Sequence, residues 1–252
     1  DVTMTELAGK RALVTGGSRG IGAAIALALA EKGAAVAITY ERSADRAAQV
    51  VDAIENKGGK AVAIQADSGD PAAIQRSVDE AAEKLGGLDI LVNNAAIARY
   101  SPIADYPVED IDAQLAVNIR GPILASKAAI PHLPAGGRII NIGSAGAERI
   151  VGSPGTVYYM TKSAIQSLTR GLAQELGPRD ITVNTVQPGS TNTDMNPETG
   201  EFADLQRTLI PLGRFGQPED VGAAVAFLAS PAARQITCLL YTSDAADDSL
   251  RV

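Results

Sequence analysis

The chain contains 252 residues, with 22 Lys and Arg against 29 Asp and Glu, and its formal net charge is −7. This length allows one large α/β domain to bury its own core, and a single cysteine, Cys238, excludes a disulfide framework and a multi-cysteine metal site. The acidic balance, without a cluster of Lys and Arg, argues against nucleic acid or an anionic membrane surface as the main partner.

Short β-branched runs alternate along the chain with longer, Ala-rich helical segments. The runs predict buried strands at residues 11–15, 35–39, 61–64, 88–92, 138–142 and 181–186. The other segments predict helices at about 20–32, 43–57, 71–85, 106–133, 155–177 and 218–230, with Gly33, Gly58 and Gly86 suited to helix C-termini. This alternation predicts a doubly wound parallel α/β sheet that binds its ligands beyond the carboxyl ends of the strands.

Residues 187–216 are rich in turn signals, and their length predicts a lid or binding loop. No linker or repeat marks a second domain. The longest apolar run, residues 23–30, is too short to span a bilayer, and residues 1–10 lack the pattern of a secretory signal. We therefore expect a cytoplasmic protein with no membrane segment.

A glycine-rich turn joins the first strand to the first helix. A tight turn and close approach of backbone N–H groups to a pyrophosphate both exclude a Cβ, and the helix N-terminus favours negative charge. We predict that this turn binds a dinucleotide through Gly16, Ser18, Arg19, Gly20, Ile21 and Gly22. The alternative is an ordinary glycine-rich connection between strand and helix.

The spacing Thr-Gly-x3-Gly-x-Gly resembles that of the short-chain dehydrogenase/reductase family, and the resemblance covers residues 7–237. It implies a single Rossmann domain over residues 1–237, with a parallel sheet of about seven strands and a homo-oligomer, either tetramer or dimer. It also implies that Asp67 contacts adenine, that Asn94 supports the cofactor site, and that Pro188, Gly189 and Thr193 bind the nicotinamide carboxamide. Ala96 stands where the family usually has glycine.

The residue at the end of the second strand bears on cofactor choice, because a carboxylate there accepts the ribose 2′-OH and repels a 2′-phosphate. Tyr40 occupies this position, and Arg19 and Arg42 are placed to pair with a phosphate. We therefore predict NADP(H) over NAD(H). Glu41 opposes this preference, because it places a negative charge beside the proposed phosphate site. The alternative is that Glu41 and Arg42 are solvated loop charges that do not contact the cofactor.

Tyr158 and Lys162 are four residues apart and project from one face of the predicted helix. A nearby cation favours the phenolate, so this pair suits proton transfer near neutral pH. Ser144 ends the fifth strand and would hold the substrate oxygen. The alternative for Tyr158 and Lys162 is a pair of surface side chains that share this spacing by chance. The alternative for Ser144 is a serine in an ordinary turn at the end of a strand. Tyr159, at the wrong spacing, is expected to pack.

Asn118 resembles a fourth catalytic residue of the family. Pro122, four residues later, has no N–H, so the Asn118 carbonyl loses its helical partner and can accept a water. The alternative is a kinked helix only. The single histidine, His132, and the strand residue Asn184 are expected to be structural.

The carboxyl end departs from the family pattern, which closes on Thr-Gly, a short strand and Val-Asp-Gly-Gly. Residues 238–252 resemble translated sequencing adapter and are interpreted as possibly foreign. We expect them to pair as an edge strand to about Asp244.

Together these features predict an NADP(H)-dependent carbonyl reductase or alcohol dehydrogenase similar to 3-oxoacyl carrier-protein reductases. Its substrate is a small ketone or secondary alcohol, and no metal is involved. Two alternatives stay open: a dinucleotide-binding sensor of the same fold that has lost turnover, and a methyltransferase-like doubly wound domain. The Tyr158 and Lys162 pair disfavours the second.

Overall fold

The computed structural model describes residues 6–150 and 154–242. Its strands are β1 (Arg11–Val14), β2 (Ala35–Tyr40), β3 (Ala61–Gln65), β4 (Ile90–Asn93), β5 (Arg138–Ile142), β6 (Thr182–Gln187) and β7 (Leu240–Thr242). They form one parallel sheet in the order β3-β2-β1-β4-β5-β6-β7. The doubly wound α/β fold predicted from the sequence is confirmed.

The helices connect successive strands. They are α1 (Gly20–Glu31), α2 (Ala44–Glu55), α3 (Pro71–Leu85), α4 (Val108–Gln114), α5 (Gly121–Ala129), α6 (Thr156–Leu176), α7 (Glu201–Leu209) and α8 (Pro218–Ala229). Gly33, Gly58 and Gly86 follow helices with φ of +98°, +83° and +76°, a backbone region that favours glycine. No helix in the described part of the chain has the length and apolar character needed to cross a membrane.

Two apolar layers cover the sheet. One face packs against α1, α2 and α8 through side chains such as Val14 and Ile25, and the other packs against α3, α5 and α6 through side chains such as Leu13 and Val78. Leu13 and Val14 are consecutive, so they point to opposite faces of the strand. Because both faces are covered, the strands consist of nearly continuous apolar runs, which is why the sequence pattern predicted them.

The helix predicted at 106–133 is interrupted. It is α4, then a π-helical segment over Leu115–Arg120, then α5. The N–H of Gly121 donates to the carbonyl of Ala116, five residues earlier, as a π-turn requires. Pro122 supplies no N–H to continue the α-helical hydrogen bonds, so the hydrogen-bonding pattern shifts here from four residues to five.

The loop predicted at 187–216 contains α7, which the sequence analysis missed. Turn residues on both sides hid a short amphipathic helix in which Phe202, Leu205 and Leu209 share one face. The expected last strand follows Cys238, where β7 pairs in parallel with β6 through Leu240 and Thr185. Asp244, the expected end of this pairing, lies outside the described residues.

Candidate active site

A large cleft lies at the carboxyl ends of the strands, beside the point where the strand order reverses between β1 and β4. Its volume is about 2130 Å³. Most of the predicted site residues line it: Gly16, Ser18, Arg19, Gly20, Ile21, Gly22, Tyr40, Arg42, Asn94, Ser144, Tyr158, Lys162, Pro188, Gly189 and Thr193. Asp67 and Asn118 lie outside this lining.

The glycine loop has the shape that a bound pyrophosphate requires. A Cβ on Gly22 would lie 2.2 Å from the carbonyl oxygen of Gly16, and Gly16 itself has φ of +64°. Helix α1 begins directly after the loop, with no side-chain cap and no acidic residue in its first turn. Its positive end therefore faces the cleft uncompensated by a protein carboxylate, and the loop fits the phosphates of a dinucleotide.

Asn94 holds this loop in place from the end of β4. Its Nδ2 donates to the carbonyl oxygens of Thr15 and Gly16, both at 3.1 Å. In return, Thr15 Oγ1 accepts the backbone N–H groups of Asn94 and Ala95 at 3.1 and 3.0 Å. These reciprocal bonds link the two loops on either side of the strand-order reversal, so the glycine loop is organised before any ligand binds.

The predicted phosphate contacts occupy the far end of the cleft. Arg42 is 90% exposed at its side chain, and its Nε lies 3.1 Å from Glu41 Oε1. A second arginine, Arg46 in the first turn of α2, forms a 2.6 Å ion pair with Asp194 of the loop after β6. The pairing lowers the pKa of Asp194, with a further contribution from Arg19. Three arginines therefore lie at this end, and Arg42 and Arg46 form ion pairs with carboxylates.

Asp67 follows β3 and is exposed. Its Oδ1 accepts the N–H of Gly69 at 2.7 Å, which shapes the turn, while its neighbours Ala66 and Ser68 line the cleft. The structure thus places this side chain in a turn contact beside the cleft, and its contact with adenine stays a prediction.

Tyr158 and Lys162 project from the first half of α6 into the cleft, on one face as the spacing predicts. Lys162 is 5% exposed, and its Nζ donates to the carbonyl of Ile142 at 3.1 Å. The same Nζ lies 5.8 Å from the centroid of the Tyr158 ring. Lys162 therefore ties the Tyr158 helix to the end of β5, two residues before Ser144.

Burial shifts the pKa of both groups in opposite directions. It lowers the pKa of Lys162 to about 8 and raises the pKa of Tyr158 well above its ordinary value, with Tyr100 and Tyr159 adding to the latter. The spacing of the two residues predicted that the Lys162 cation would lower the pKa of Tyr158. In the protein alone desolvation dominates, because each charged form loses water on burial. Tyr158 is consequently protonated at neutral pH.

Ser144 begins a short 3₁₀ turn over Ala145–Ala147, immediately beyond β5. Its Oγ accepts the N–H of Gly146 at 3.1 Å. The neighbouring Ala145 N–H donates to the carbonyl of Pro188 at 2.9 Å, which joins the loops after β5 and β6. The serine hydroxyl is thereby held at the cleft wall with its proton free to donate elsewhere.

Asn118 is buried within the π-helical segment behind the cleft. Its Oδ1 accepts the N–H of Ile97 at 2.9 Å, and its Nδ2 donates to the carbonyl of Ile97 and to Thr161 Oγ1. Thr161 Oγ1 in turn donates to the carbonyl of Tyr158 at 2.6 Å. The Asn118 side chain therefore connects the loop after β4 to the helix that carries Tyr158, a positioning contact.

A tyrosine cluster surrounds the predicted proton donor. The rings of Tyr100 and Tyr158 are 5.8 Å apart at 61°, and those of Tyr158 and Tyr159 are 5.3 Å apart at 64°. The Tyr159 ring lies against Gly146 and Gly155, where a Cβ would come within 2.1 and 2.5 Å of it. Tyr159 packs against backbone, in agreement with its predicted packing role.

Comparison with known proteins places this site in a family. A profile described as Enoyl-(Acyl carrier protein) reductase matches residues 16–245. The structure of a short-chain dehydrogenase from Burkholderia cenocepacia, in complex with NADP, is 54% identical and superposes with a TM-score of 0.94, covering 95% of this chain and 98% of the other. The chain belongs to the short-chain dehydrogenase/reductase family. It is an NAD(P)-dependent oxidoreductase of that family, as the glycine spacing predicted.

Two curated members of the short-chain dehydrogenase/reductase family illustrate its range. Versicolorin reductase from Emericella nidulans is 43% identical, with 92% of each chain covered. A cyclic-di-GMP-binding biofilm dispersal mediator protein from Escherichia coli is 41% identical, with 96% of this chain and 99% of the relative covered. The family thus includes relatives named for reduction and a relative named for nucleotide binding.

Several cleft residues of this short-chain dehydrogenase/reductase were not predicted. Arg46 and Asp194 meet only through the fold, since they are far apart in sequence. Tyr100 sits in an irregular loop without a local pattern, and Phe202 belongs to the unpredicted helix α7. The one available signal was the apolar spacing of Phe202, Leu205 and Leu209 inside an otherwise turn-rich stretch.

Proposed function

We propose that this protein is an NADP(H)-dependent ketone reductase that uses Tyr158 as its proton donor. The observation that carries the proposal is the Lys162 contact with Ile142, which brings Tyr158, Lys162 and Ser144 to one wall of the cleft that the glycine loop opens. A ketone, NADPH and a proton become a secondary alcohol and NADP⁺. Bound NADPH supplies the hydride that reaches the carbonyl carbon.

The protein groups act on the carbonyl oxygen and its proton. Ser144 Oγ donates a hydrogen bond to the oxygen, which stabilises the negative charge that develops there. Tyr158 Oη then transfers its proton to this oxygen, because its raised pKa keeps it protonated while an alkoxide is far more basic. The Lys162 ammonium stabilises the phenolate that remains, and it also orients the ribose of the cofactor.

The adenosine end of the cleft supports NADP(H) over NAD(H). No carboxylate occupies the end of β2, where Tyr40 stands, and Arg19, Arg42 and Arg46 all line this end. Guanidinium groups pair with phosphate in a bidentate manner. Glu41, 3.1 Å from the Arg42 Nε, opposes this preference. If Glu41 governs the site, Glu41→Ser will increase the preference for NADPH.

The test is a matched pair of substitutions at neighbouring tyrosines. We expect Tyr158→Phe to lower kcat for ketone reduction at least 10²-fold, since general acid catalysis contributes on the order of 10²–10⁴-fold. Tyr159→Phe should change kcat by less than about threefold, because its ring packs and donates no proton. Both variants should bind NADPH with nearly unchanged Kd. Full activity in Tyr158→Phe would refute the assignment.

A binding role without turnover is the second candidate. The Escherichia coli relative named for cyclic-di-GMP binding favours it, because that protein covers 96% of this chain at 41% identity. The two candidates differ in a simple observation: a sensor binds nucleotide without oxidising NADPH in the presence of any ketone. Cyclic di-GMP and NADPH should each be titrated by calorimetry beside the ketone assay.

A further inference from the structure

Aromatic side chains are scarce in this chain but concentrated in the cleft. The sequence has six tyrosines, three phenylalanines and no tryptophan. Within the part of the chain that the structure describes, five of them line the cleft. Tyr40 lies at the adenosine end, and the other four are Tyr158, Tyr100, Tyr159 and Phe202. Such a distribution needs a cause beyond core packing, since the core clusters consist almost wholly of aliphatic side chains.

Large apolar surface is also exposed there. Within the described residues, six of the thirteen exposed large apolar side chains line the cleft: Tyr100, Met195, Phe202, Leu205, Leu209 and Leu239. Tyr100 is 56% exposed and Phe202 is 63% exposed. Apolar side chains exposed in a cleft favour an apolar ligand group, because its binding removes apolar surface from water.

The helix that presents much of this surface is anchored to the loop after β6. Gln206 Nε2 donates to Asn196 Oδ1 at 2.9 Å, and Ser190 Oγ donates to Gln206 Oε1 at 2.7 Å. Ala203 is buried at 2% exposure. Phe202 and Leu205 therefore face the cleft from a helix that is already fixed in place, so binding does not require α7 to form.

Two of the charged groups at this end, Arg99 and Glu148, contact other protein groups. Arg99 lies 3.7 Å from Asp110, and Glu148 accepts a hydrogen bond from Gln166. Arg149 also lines the rim. The tyrosines are uncharged at neutral pH because the ordinary pKa of their phenol group is about 10, and desolvation raises the pKa values of Tyr100 and Tyr158 above it. The part of the wall that Tyr100 and Tyr158 form is thus uncharged and aromatic, and charged side chains lie around it.

We propose that the substrate is an uncharged aryl ketone, whose ring system packs between the Tyr100 edge of the tyrosine cluster and the Phe202–Leu205 face of α7. The inference rests on the proposed function, since it assigns the group attached to the carbonyl that Tyr158 protonates. Tyr100 meets Tyr158 edge-on, so its ring is held at a defined angle beside the reacting position. A flat aryl group makes edge-to-face or offset contacts with such rings, in addition to burying apolar surface. A saturated group buries apolar surface but makes no ring contacts.

The first measurement compares 2-acetylnaphthalene with its fully saturated decalin analogue, which has the same carbon skeleton. We expect kcat/KM for the aryl ketone to be at least tenfold higher with NADPH. Conjugation makes the aryl carbonyl intrinsically less electrophilic, so such a preference reports recognition by the protein. Equal or better reduction of the saturated ketone, or preference for an aryl keto acid through Arg149, would overturn the proposal.

The second measurement uses three variants with the same two ketones. Tyr100→Ala and Phe202→Ala should each reduce kcat/KM for the aryl ketone roughly 3- to 10-fold, mainly through KM, and reduce that for the saturated ketone about twofold at most. Phe227→Ala is the matched control, because Phe227 is half-exposed on α8 and does not line the cleft. An unchanged aryl preference in both cleft variants contradicts the assigned packing.

Binding separates this proposal from the proposed function. Calorimetry with Tyr158→Phe and NADPH present should show the aryl ketone binding at least fivefold more tightly than the saturated analogue. Selective binding without turnover by the unaltered protein would overturn the reductase function and support the aryl site. Efficient reduction of the saturated ketone, with no aryl preference in binding, would support the reductase and overturn the aryl site.

Discussion

At the residue scale, burial shifts the pKa values of Tyr158 and Lys162 in opposite directions. In the proposed mechanism, the raised pKa keeps the proton on Tyr158 until an alkoxide forms beside it. The same burial brings the pKa of Lys162 to about 8, so its charge depends on pH within the working range. Within the described residues no carboxylate pairs with the buried Lys162 ammonium, and such burial costs stability. The carbonyl of Ile142 compensates in part.

We expect ketone reduction to fall as pH rises through about 8, because Lys162 loses its proton there and no longer stabilises the phenolate. Below that pH the ammonium is present and the rate is at its plateau. Measuring kcat/KM from pH 6 to 10 in the unaltered protein and in Lys162→Arg checks this. The arginine keeps its charge, so the decline should move to higher pH even if the plateau is lower. An identical decline in both proteins would assign it to another group.

Cys238 adopts a backbone conformation that is unfavourable for a residue with a Cβ. Its φ is +65°, a left-handed conformation that costs a residue with a Cβ about 1–2 kcal/mol. Its N–H donates to the carbonyl of Val183 at 2.8 Å, so the conformation is fixed by the entry into β7. The family usually has glycine at this point.

We therefore expect Cys238→Gly to raise the free energy of unfolding by about 1 kcal/mol, after allowing for the greater freedom of glycine in the unfolded chain. Thermal or denaturant unfolding measures the change. Cys238→Ala is the control, since it keeps the Cβ and should give no gain. A stabilised alanine variant would show that the thiol, and not the backbone conformation, is unfavourable.

At the scale of elements, the loop after β6 connects the two ends of the cleft. It carries Thr193 over the glycine loop, where the Thr193 methyl would lie 3.7 Å from a Cβ on Gly20, and it reaches α2 through the Asp194 pair with Arg46. Both partners are at least half exposed, so the pair contributes little to stability and opens easily. Arg46 can then leave the Asp194 carboxylate and pair with a phosphate group of the cofactor.

We expect Asp194→Asn to increase the ratio of kcat/KM with NADPH to that with NADH about two- to fivefold, because a competing carboxylate leaves the arginines. Arg46→Met should decrease the same ratio. Glu31→Gln, which breaks the comparably exposed pair with Lys57 away from the cleft, should leave it unchanged. A ratio that moves equally in all three variants would point to net charge and not to this pair.

At the scale of the whole molecule, the last strand completes the sheet. Asn184, buried in β6, donates from Nδ2 to the carbonyl of Ile236 at 2.8 Å and accepts the N–H of Leu239 at Oδ1 at 2.9 Å. This contact supports its predicted structural role and guides the chain into β7. The register of Leu240, Tyr241 and Thr242 against β6 follows.

We predict that residues 238–252 are a suboptimal ending. Replacing them by glycine, an apolar strand and Val-Asp-Gly-Gly should raise Tm by several degrees and strengthen oligomerisation. Tyr241 and Ser243 stand where the family usually has apolar strand residues, and polar groups there need partners or cost stability. Differential scanning calorimetry and light scattering measure the two effects. Cys238→Gly alone provides the baseline, since any gain beyond it belongs to the strand. An unchanged Tm and mass would show that the existing tail already serves as a competent last strand.

The sequence by itself determined the elements and the chemical groups whose pattern is local. Buried strands such as Arg138–Ile142 were readable because both faces are apolar, and the turn at Gly16 was readable because a Cβ is excluded there. The Tyr158 and Lys162 pair followed from the pitch of a helix, which depends on neighbouring residues only.

The tertiary structure alone decided the features that depend on distant residues. The ion pair of Arg46 with Asp194, the face that α7 turns to the cleft and the Tyr100 ring beside Tyr158 join segments with no common local pattern. The raised pKa of Tyr158 also belongs here, since spacing reveals a nearby cation but not the water that burial removes. Desolvation is a property of the assembled fold, and so is the apolar wall on which the substrate inference rests.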